Sequence, residues 1–287
     1  ASICKVDLKS DLVGEFPELQ GIMGGHFAES QGFEKEVCQS ISEHYLPSGP
    51  DSKVPKNLYS ITLSLSDKLD TLVGFFGLNI IPTGSKDPYA LRRNTIGLVR
   101  LIVENKIRIK LRSIINYSLT LFKEQGYEFD ITKVLSQLNN FILDRLKNYS
   151  KEKNIRLDII ESSILSNDID ELYNGYKKAE ILNKNINKEI GQDVVGIYKR
   201  SSNILNNEIN KNKIALSNSV DTGLFKNDFE KNLYKKIQDT KKYLSNFDKN
   251  VSFEDVLNEL FKFKQDVNLF FDNVKVNDEN ELIKKNR

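Results

Sequence analysis

Apolar residues recur every three or four positions along most of the chain, the spacing of one face of an α-helix. Leu58, Ile61, Leu65, Leu69, Leu72 and Phe76 make the longest such stripe and predict a long helix. Leu91, Thr95, Leu98 and Ile102 share a face on the next one. Asp87-Pro88 is expected to start that helix, since Asp caps free amides and Pro suits the first helical position. Further helices are predicted at about 108–124, 131–149, 154–165, 168–190, 192–210, 228–246 and 253–274. The last is the best marked. Ser252 and Asp255 have capping-box spacing, and Val251 with Val256 could form a hydrophobic staple. Phe253, Val256, Leu257, Leu260, Phe263, Val267, Phe270 and Phe271 then line a broad stripe, read as core rather than as a base-stacking surface. No strand-like alternation, Asn-Gly hairpin or fixed repeat is present, so the expected fold is all-α.

Glycine and proline cluster at 14–25, 47–57 and 77–87, which are expected to be loops. A weaker polar break near 150–154 suggests two domains, 1–150 and 151–287.

Composition narrows this picture. The chain has 287 residues, 39% hydrophobic and 29% charged, which is enough apolar matter for a core. No apolar run approaches the length of a membrane span. Lys5, Asp7 and Lys9 interrupt the first apolar stretch, so no secretory signal is expected. A start at Ala1 without Met reads as part of something longer. Cys4 and Cys38 are the only cysteines, which excludes a disulfide framework and fits a reducing compartment. A zinc site from Cys4, His26, Cys38 and His44 would lack the closely paired ligands such sites use, and two buried thiols are the plainer reading.

The net charge of +2 hides a split. Residues 1–90 carry 7 basic and 12 acidic side chains, the remainder 35 and 28. Segment 91–115 is the sharpest: Arg92, Arg93, Arg100, Lys106, Arg108, Lys110 and Arg112 stand against Glu104 alone. Such asymmetry points to an anionic partner, although a basic run is often only a solvated face. Arg93, Gly97 and Arg100 fall on one side of their helix, so a basic stripe is expected to be exposed there.

Gly84-Ser85-Lys86 precedes that helix and could present amides and a cation to phosphate. It lacks the upstream glycine of a Walker A loop, so a nucleic-acid phosphate held with Arg92 and Arg93 is the better reading. Asp67 and Asp70 lie three apart on a helix and could act as acid and base, or simply face solvent or make a structural hydrogen bond. No nucleophile elbow, HExxH or GxGxxG occurs, so no catalytic or metal-ligating residue is assigned. Tyr198-Lys199-Arg200-Ser201-Ser202-Asn203-Ile204 mixes cations, an aromatic and small polar groups, which suits RNA backbone and unstacked bases as well as a plain helix surface.

Longer words in the sequence are more specific. Asp11-Leu12-Val13-Gly14-Glu15-Phe16-Pro17-Glu18-Leu19-Gln20-Gly21-Ile22-Met23-Gly24 resembles the bacterial glycyl-tRNA synthetase β subunit. So do Glu43-His44-Tyr45-Leu46-Pro47, Asp67-Lys68-Leu69-Asp70-Thr71-Leu72-Val73-Gly74-Phe75-Phe76-Gly77 and Pro82-Thr83-Gly84-Ser85-Lys86-Asp87-Pro88-Tyr89-Ala90-Leu91-Arg92-Arg93. Lys199-Arg200-Ser201-Ser202-Asn203-Ile204-Leu205 and Phe270-Phe271-Asp272-Asn273-Val274 continue the resemblance. Between about 105 and 195 only the helical pattern agrees.

The resemblance implies the C-terminal part of a β chain: an HD-like helical domain, then a helical bundle of the anticodon-binding, DALR-like type. It implies a cytoplasmic α2β2 enzyme, a glycine–tRNA ligase, in which β binds tRNA(Gly). The α subunit uses ATP, with Mg, to activate glycine, so no cofactor is expected in this portion and no membrane partner. Lys86, Arg92, Arg93 and Arg100 are the expected backbone contacts of the first portion, and Lys199, Arg200 and Asn203 are the candidate tRNA contacts of the second. Asp67 resembles the final Asp of an HD metal set, yet the adjacent His-Asp pair is missing. The alternatives are an HD-type metal-dependent phosphohydrolase and a structural subunit that only stabilises the α dimer.

Overall fold

The structure, a computed structural model, describes residues 1–84, 87–164, 169–212, 219–245 and 252–287. Among these every regular element is helical. The chain divides into two compact units, Ala1–Ala179 and Glu180–Arg287. This division falls later than the polar break near 150. Tyr149 and Ser150 are buried within a helix there, so the polar stretch after them marks a helix end.

The first unit contains α1 (Asp11–Glu15), α2 (Ile22–Ser30), α3 (Lys35–Glu43), α4 (Leu58–Gly77), α5 (Leu91–Glu104), α6 (Leu111–Glu124), α7 (Ile131–Glu152), α8 (Leu157–Ser163) and most of α9 (Leu172–Asn185). Helix α4 packs against α3, α5, α6 and α7, and α5 against α7. Leu72, Phe76, Leu98, Leu101, Leu138 and Ile142 are sealed at the centre. Each such side chain contributes roughly 1.5–3 kcal/mol by leaving water. Asn57 caps α4 through the Tyr59 amide, and Asp130 caps α7 through the Lys133 amide. Leu58, the first residue of the predicted stripe, is 74% exposed because it precedes the turn that meets the core.

The expected 14–25 loop is partly helix. Gly24 and Gly25 lie inside α2 and are buried. A Cβ on Gly25 would overlap the Ser42 hydroxyl and come 2.8 Å from the Cys38 carbonyl. Those glycines bring α2 onto α3. Cys4 and Cys38 are free thiols, buried there with Ala28 and Ile41.

Five helices of this unit end alike. At the ends of α2, α4, α5, α6 and α7, Gly32, Asn79, Lys106, Gly126 and Asn154 take φ of 78°, 58°, 56°, 91° and 60°. The next residue, Phe33, Ile80, Ile107, Tyr127 or Ile155, donates its amide back to Ala28, Phe75, Ile102, Phe122 or Ser150. This is the Schellman closure, in which a left-handed residue is followed by an apolar one.

The second unit holds the end of α9, then α10 (Glu189–Asn212), α11 (Asp228–Leu244), α12 (Phe253–Phe261), α13 (Phe263–Asn273) and α14 (Glu281–Asn286). The chain turns sharply between α9 and α10, where a Cβ at Gly191 would come 2.7 Å from Ile186 Cα. Helix α10 packs on α12 and α13, and α11 on α13. The predicted 253–274 helix bends at Lys262. Its capping box is present: the Ser252 hydroxyl accepts from the Asp255 amide at 3.1 Å, and Asp255 accepts from the Ser252 amide at 3.0 Å. Val251 lies outside the described residues. A second capping box joins Asn227 and Glu230 at the start of α11, and Arg287 Nε is 2.6 Å from the same Glu230. Leu257, Val267 and Phe270 are buried as the stripe predicts. Leu260 and Phe263, with Val267 and Phe270, border a cavity of about 630 Å³, which α10 and α11 line with Ile204, Leu205, Leu233 and Ile237.

Candidate nucleic-acid interface

In the first unit Asp87 does cap the helix that follows, but the helix begins at Leu91 rather than at Pro88. One Asp87 oxygen accepts from the Leu91 amide at 2.8 Å, the other from the Arg92 amide at 2.9 Å. The Leu91 and Arg92 amides at the helix start are therefore held by the protein's own carboxylate. Ser85 and Lys86 lie outside the described residues. Arg92 is half-buried and donates to the Gly84 carbonyl at 2.7 Å. Arg93 is exposed. Beside them Phe75 and Tyr89 stack with ring centroids 4.5 Å apart.

Arg100 is not part of an exposed stripe. It is 9% exposed, donating to Glu104 at 2.7 Å and to the Gly49 carbonyl at 2.7 Å. The reason lies one turn earlier. A Cβ on Gly97 would come 2.6 Å from Lys68 Cε and 2.7 Å from the Pro47 carbonyl, so the 47–50 segment covers this face of α5. Arg100 is a structural tie.

Asp67 is also committed. Lys5 Nζ lies 2.5 Å from Asp67, whose side chain is 9% exposed. Around this pair, Asp7 is buried and accepts from the Gly21 and Gly24 amides at 2.6 and 3.3 Å. His44 is buried with Nδ1 2.6 Å from the Ile41 carbonyl, and burial pushes its pKa down. Burial opposes the Lys5 charge, but the hydrogen bond and the charge of Asp67, with smaller help from Tyr45 and Cys4, together outweigh it and raise the Lys5 pKa. Lys68 is 1% exposed, its ammonium on the Tyr45 carbonyl at 3.0 Å, and burial lowers its pKa to about 8. Asp70 is exposed. An ammonium already on Asp67, and no His-Asp neighbour, make a donor set that does not fit a divalent metal. His26 is exposed near Glu29, away from Cys4 and Cys38 in the core. Among the described residues no three metal-ligating side chains gather.

In the second unit the other predicted residues come together on α10. Tyr198 is 71% exposed, and Lys199, Arg200 and Asn203 are exposed with it. Asn203 follows Lys199 by four residues and Arg200 by three, so the three share one face. The Arg200 guanidinium lies 4.5 Å from the Phe271 ring and 3.6 Å from Asp272. That stack offers a flat cationic and aromatic surface beside a hydrogen-bonding amide. Tyr198 also borders the apolar cavity.

Comparison with known proteins bears on this arrangement. Residues 1–165 match the family described as the glycyl-tRNA synthetase beta subunit. The chain belongs to the glycyl-tRNA synthetase beta subunit family. Residues 195–287, which include the α10 face, match the DALR anticodon binding domain. The glycine–tRNA ligase beta subunit of Rickettsia typhi (strain ATCC VR-144 / Wilmington) is 36% identical over 287 residues, all of this chain and 41% of that protein. The same-named protein of Clostridioides difficile (strain 630) is 34% identical over 100% of this chain and 40% of its own length. The chain thus spans about two fifths of these glycyl-tRNA synthetase beta relatives. No helix among the described residues is long and apolar enough to cross a membrane.

Proposed function

We propose that this chain is a tRNA-binding portion of the β subunit of a glycine–tRNA ligase. It recognises tRNA(Gly), while an α subunit carries out glycylation with ATP and Mg in a cytoplasmic α2β2 enzyme. No catalytic or cofactor residue is assigned here. The observation that carries this reading is the exposed Lys199, Arg200 and Asn203 face of α10, within the segment matched to an anticodon-binding domain. Lys199 holds backbone phosphate, the Arg200–Phe271 stack supports an unstacked base, and the Asn203 amide reads a base edge. Arg92 and Arg93 are backbone contacts of the first unit, and Lys86 is kept with them as a proposal. Arg100, tied inside the fold, is left out. An HD-type phosphohydrolase is the weaker reading because Lys5 neutralises Asp67.

The test is binding of the chain to tRNA(Gly) at two salt concentrations, beside the same tRNA with its anticodon bases replaced. Replacement is expected to weaken binding about five- to 150-fold, the loss of one base contact at roughly 1–3 kcal/mol. Lys199→Ala with Arg200→Ala should erase that difference. Equal affinity for both RNAs would sink the assignment of anticodon recognition to α10.

A further inference from the structure

Lys106 is the exception among the five matching helix ends. Glycine or asparagine fills the left-handed position at the other four, while Lys106 holds φ 56° at the end of α5. A Cβ-bearing residue without a short polar side chain is disfavoured there, so a lysine at this point opposes the local backbone preference. Such an outlier is a reason to ask what the side chain does.

The chain then runs to α6 with alternating exposure. Lys106, Arg108 and Lys110 are exposed, and Ile107 and Ile109 are half-buried. The two isoleucines turn in beside Ile102, Leu111, Ile169 and Leu172. The cations carry no acidic partner among the described residues, and Arg108 lies 6.0 Å from the Tyr173 ring. Lys56 adds a fourth charge at this edge, donating to the Glu104 carbonyl at 3.3 Å and Asn105 Oδ1 at 3.1 Å. The exposed side chains of the 106–110 segment are all cations, while its two isoleucines are turned inward. Protein partners are gripped through buried aromatic and aliphatic anchors, whereas a nucleic-acid backbone needs cations alone. The edge also stands about 20 Å from Arg93, at the opposite end of the fourteen-residue α5, by the rise of 1.5 Å per residue.

We propose that the 106–110 segment is a docking edge for the phosphodiester backbone of RNA, with Lys106, Arg108 and Lys110 as its contacts. This rests on the reading of the chain as a tRNA-binding protein and adds a second, sequence-independent contact in the first unit.

The experiment uses the full chain and tRNA(Gly), titrated across a salt series. Lys106→Gly relieves the backbone and should melt no lower than the parent, yet its salt slope should fall by about 0.7–0.9. Lys106→Gly with Arg108→Gln and Lys110→Gln should lower the slope by about 2–3 and weaken binding on the order of tenfold at low salt. The loss should be equal for tRNA with native and with replaced anticodon bases, because phosphate contacts carry no sequence. An unchanged slope in the single and triple variants overturns the docking edge and leaves α10 recognition standing. A parent chain that binds no RNA overturns both. Should the triple variant fail to melt cooperatively, acetylation of the parent decides: Lys106 and Lys110 are expected to be protected by tRNA, and equal labelling with and without RNA overturns the proposal.

Discussion

In the first unit Leu72, Leu98, Leu101, Ile102, Ile115 and Ile142 are closed off from solvent, whereas in the second Phe263, Leu233, Ile237 and Ile204 border an open cavity of about 630 Å³. The second unit is tied instead by charges: Arg287 to Glu230 at 2.6 Å, Lys284 to Glu208 at 2.9 Å and Lys264 to Asp193 at 2.7 Å. The first unit has a sealed aliphatic core, while the second joins a smaller buried set, Leu257, Val267, Phe270 and Ile283, to ion pairs around an open apolar cleft. A packed core resists reshaping, because a lost methylene leaves a void that neighbours cannot close. A unit with vacant apolar volume can repack at small cost. The proposed base-reading face, with Lys199 beside it, belongs to the second kind, and the backbone contacts proposed for Arg92, Arg93 and the 106–110 segment to the first.

The comparison can be broken most directly by truncation. Leu101→Ala should cost about 2–5 kcal/mol, and Phe263→Ala, at a half-buried wall of the cavity, less than about 2. Denaturant titration of both variants checks this, and equal losses would end the contrast. A somewhat smaller effect concerns the charge sealed inside the first unit. Lys68 has a pKa of about 8 in the fold against 10.5 ordinarily. Below pH 8 both folded and unfolded chains hold the proton and the penalty is complete. Between about 8 and 10.5 only the unfolded chain holds it, so stability rises with pH, by at most about 3 kcal/mol. Lys68→Met should lack this rise, and parallel pH curves for the two proteins would refute it. Smaller again is Arg287→Ala, expected to cost about 2 kcal/mol, since Glu230 keeps its bonds from the Lys226 and Asn227 amides. If that variant melts like the parent, the ion-pair frame is not what closes the second unit.

Much of the fold was legible. The stripe from Ile61 to Phe76 and the Ser252–Asp255 capping box follow from residues close in sequence, and they appear where the spacing puts them. Asn227 and Glu230 carry the same spacing at the start of α11. The errors have a common cause in distant contacts. Arg100 looks exposed on a helical wheel, but Gly97 lets residues about fifty positions earlier reach its face. Gly24 and Gly25 look like a loop, but they serve a helix contact with α3. For the site, Lys199, Arg200 and Asn203 were readable as one helix face, while the Phe271 ring under Arg200 was not, since seventy residues separate them. Lys106 was only one cation among seven in its segment. Its distinction lies in a backbone angle that composition does not record.

Asp87 gives the start of α5 a further meaning. Its carboxylate is tethered one turn from the amides it occupies, so it competes with any free anion at an effective concentration in the millimolar range or above. Ordinary cellular phosphate would have to displace a ligand that never diffuses away. Those two amides are thus already occupied, and RNA approaching the start of α5 meets the side chains of Arg92 and Arg93 rather than these two donors.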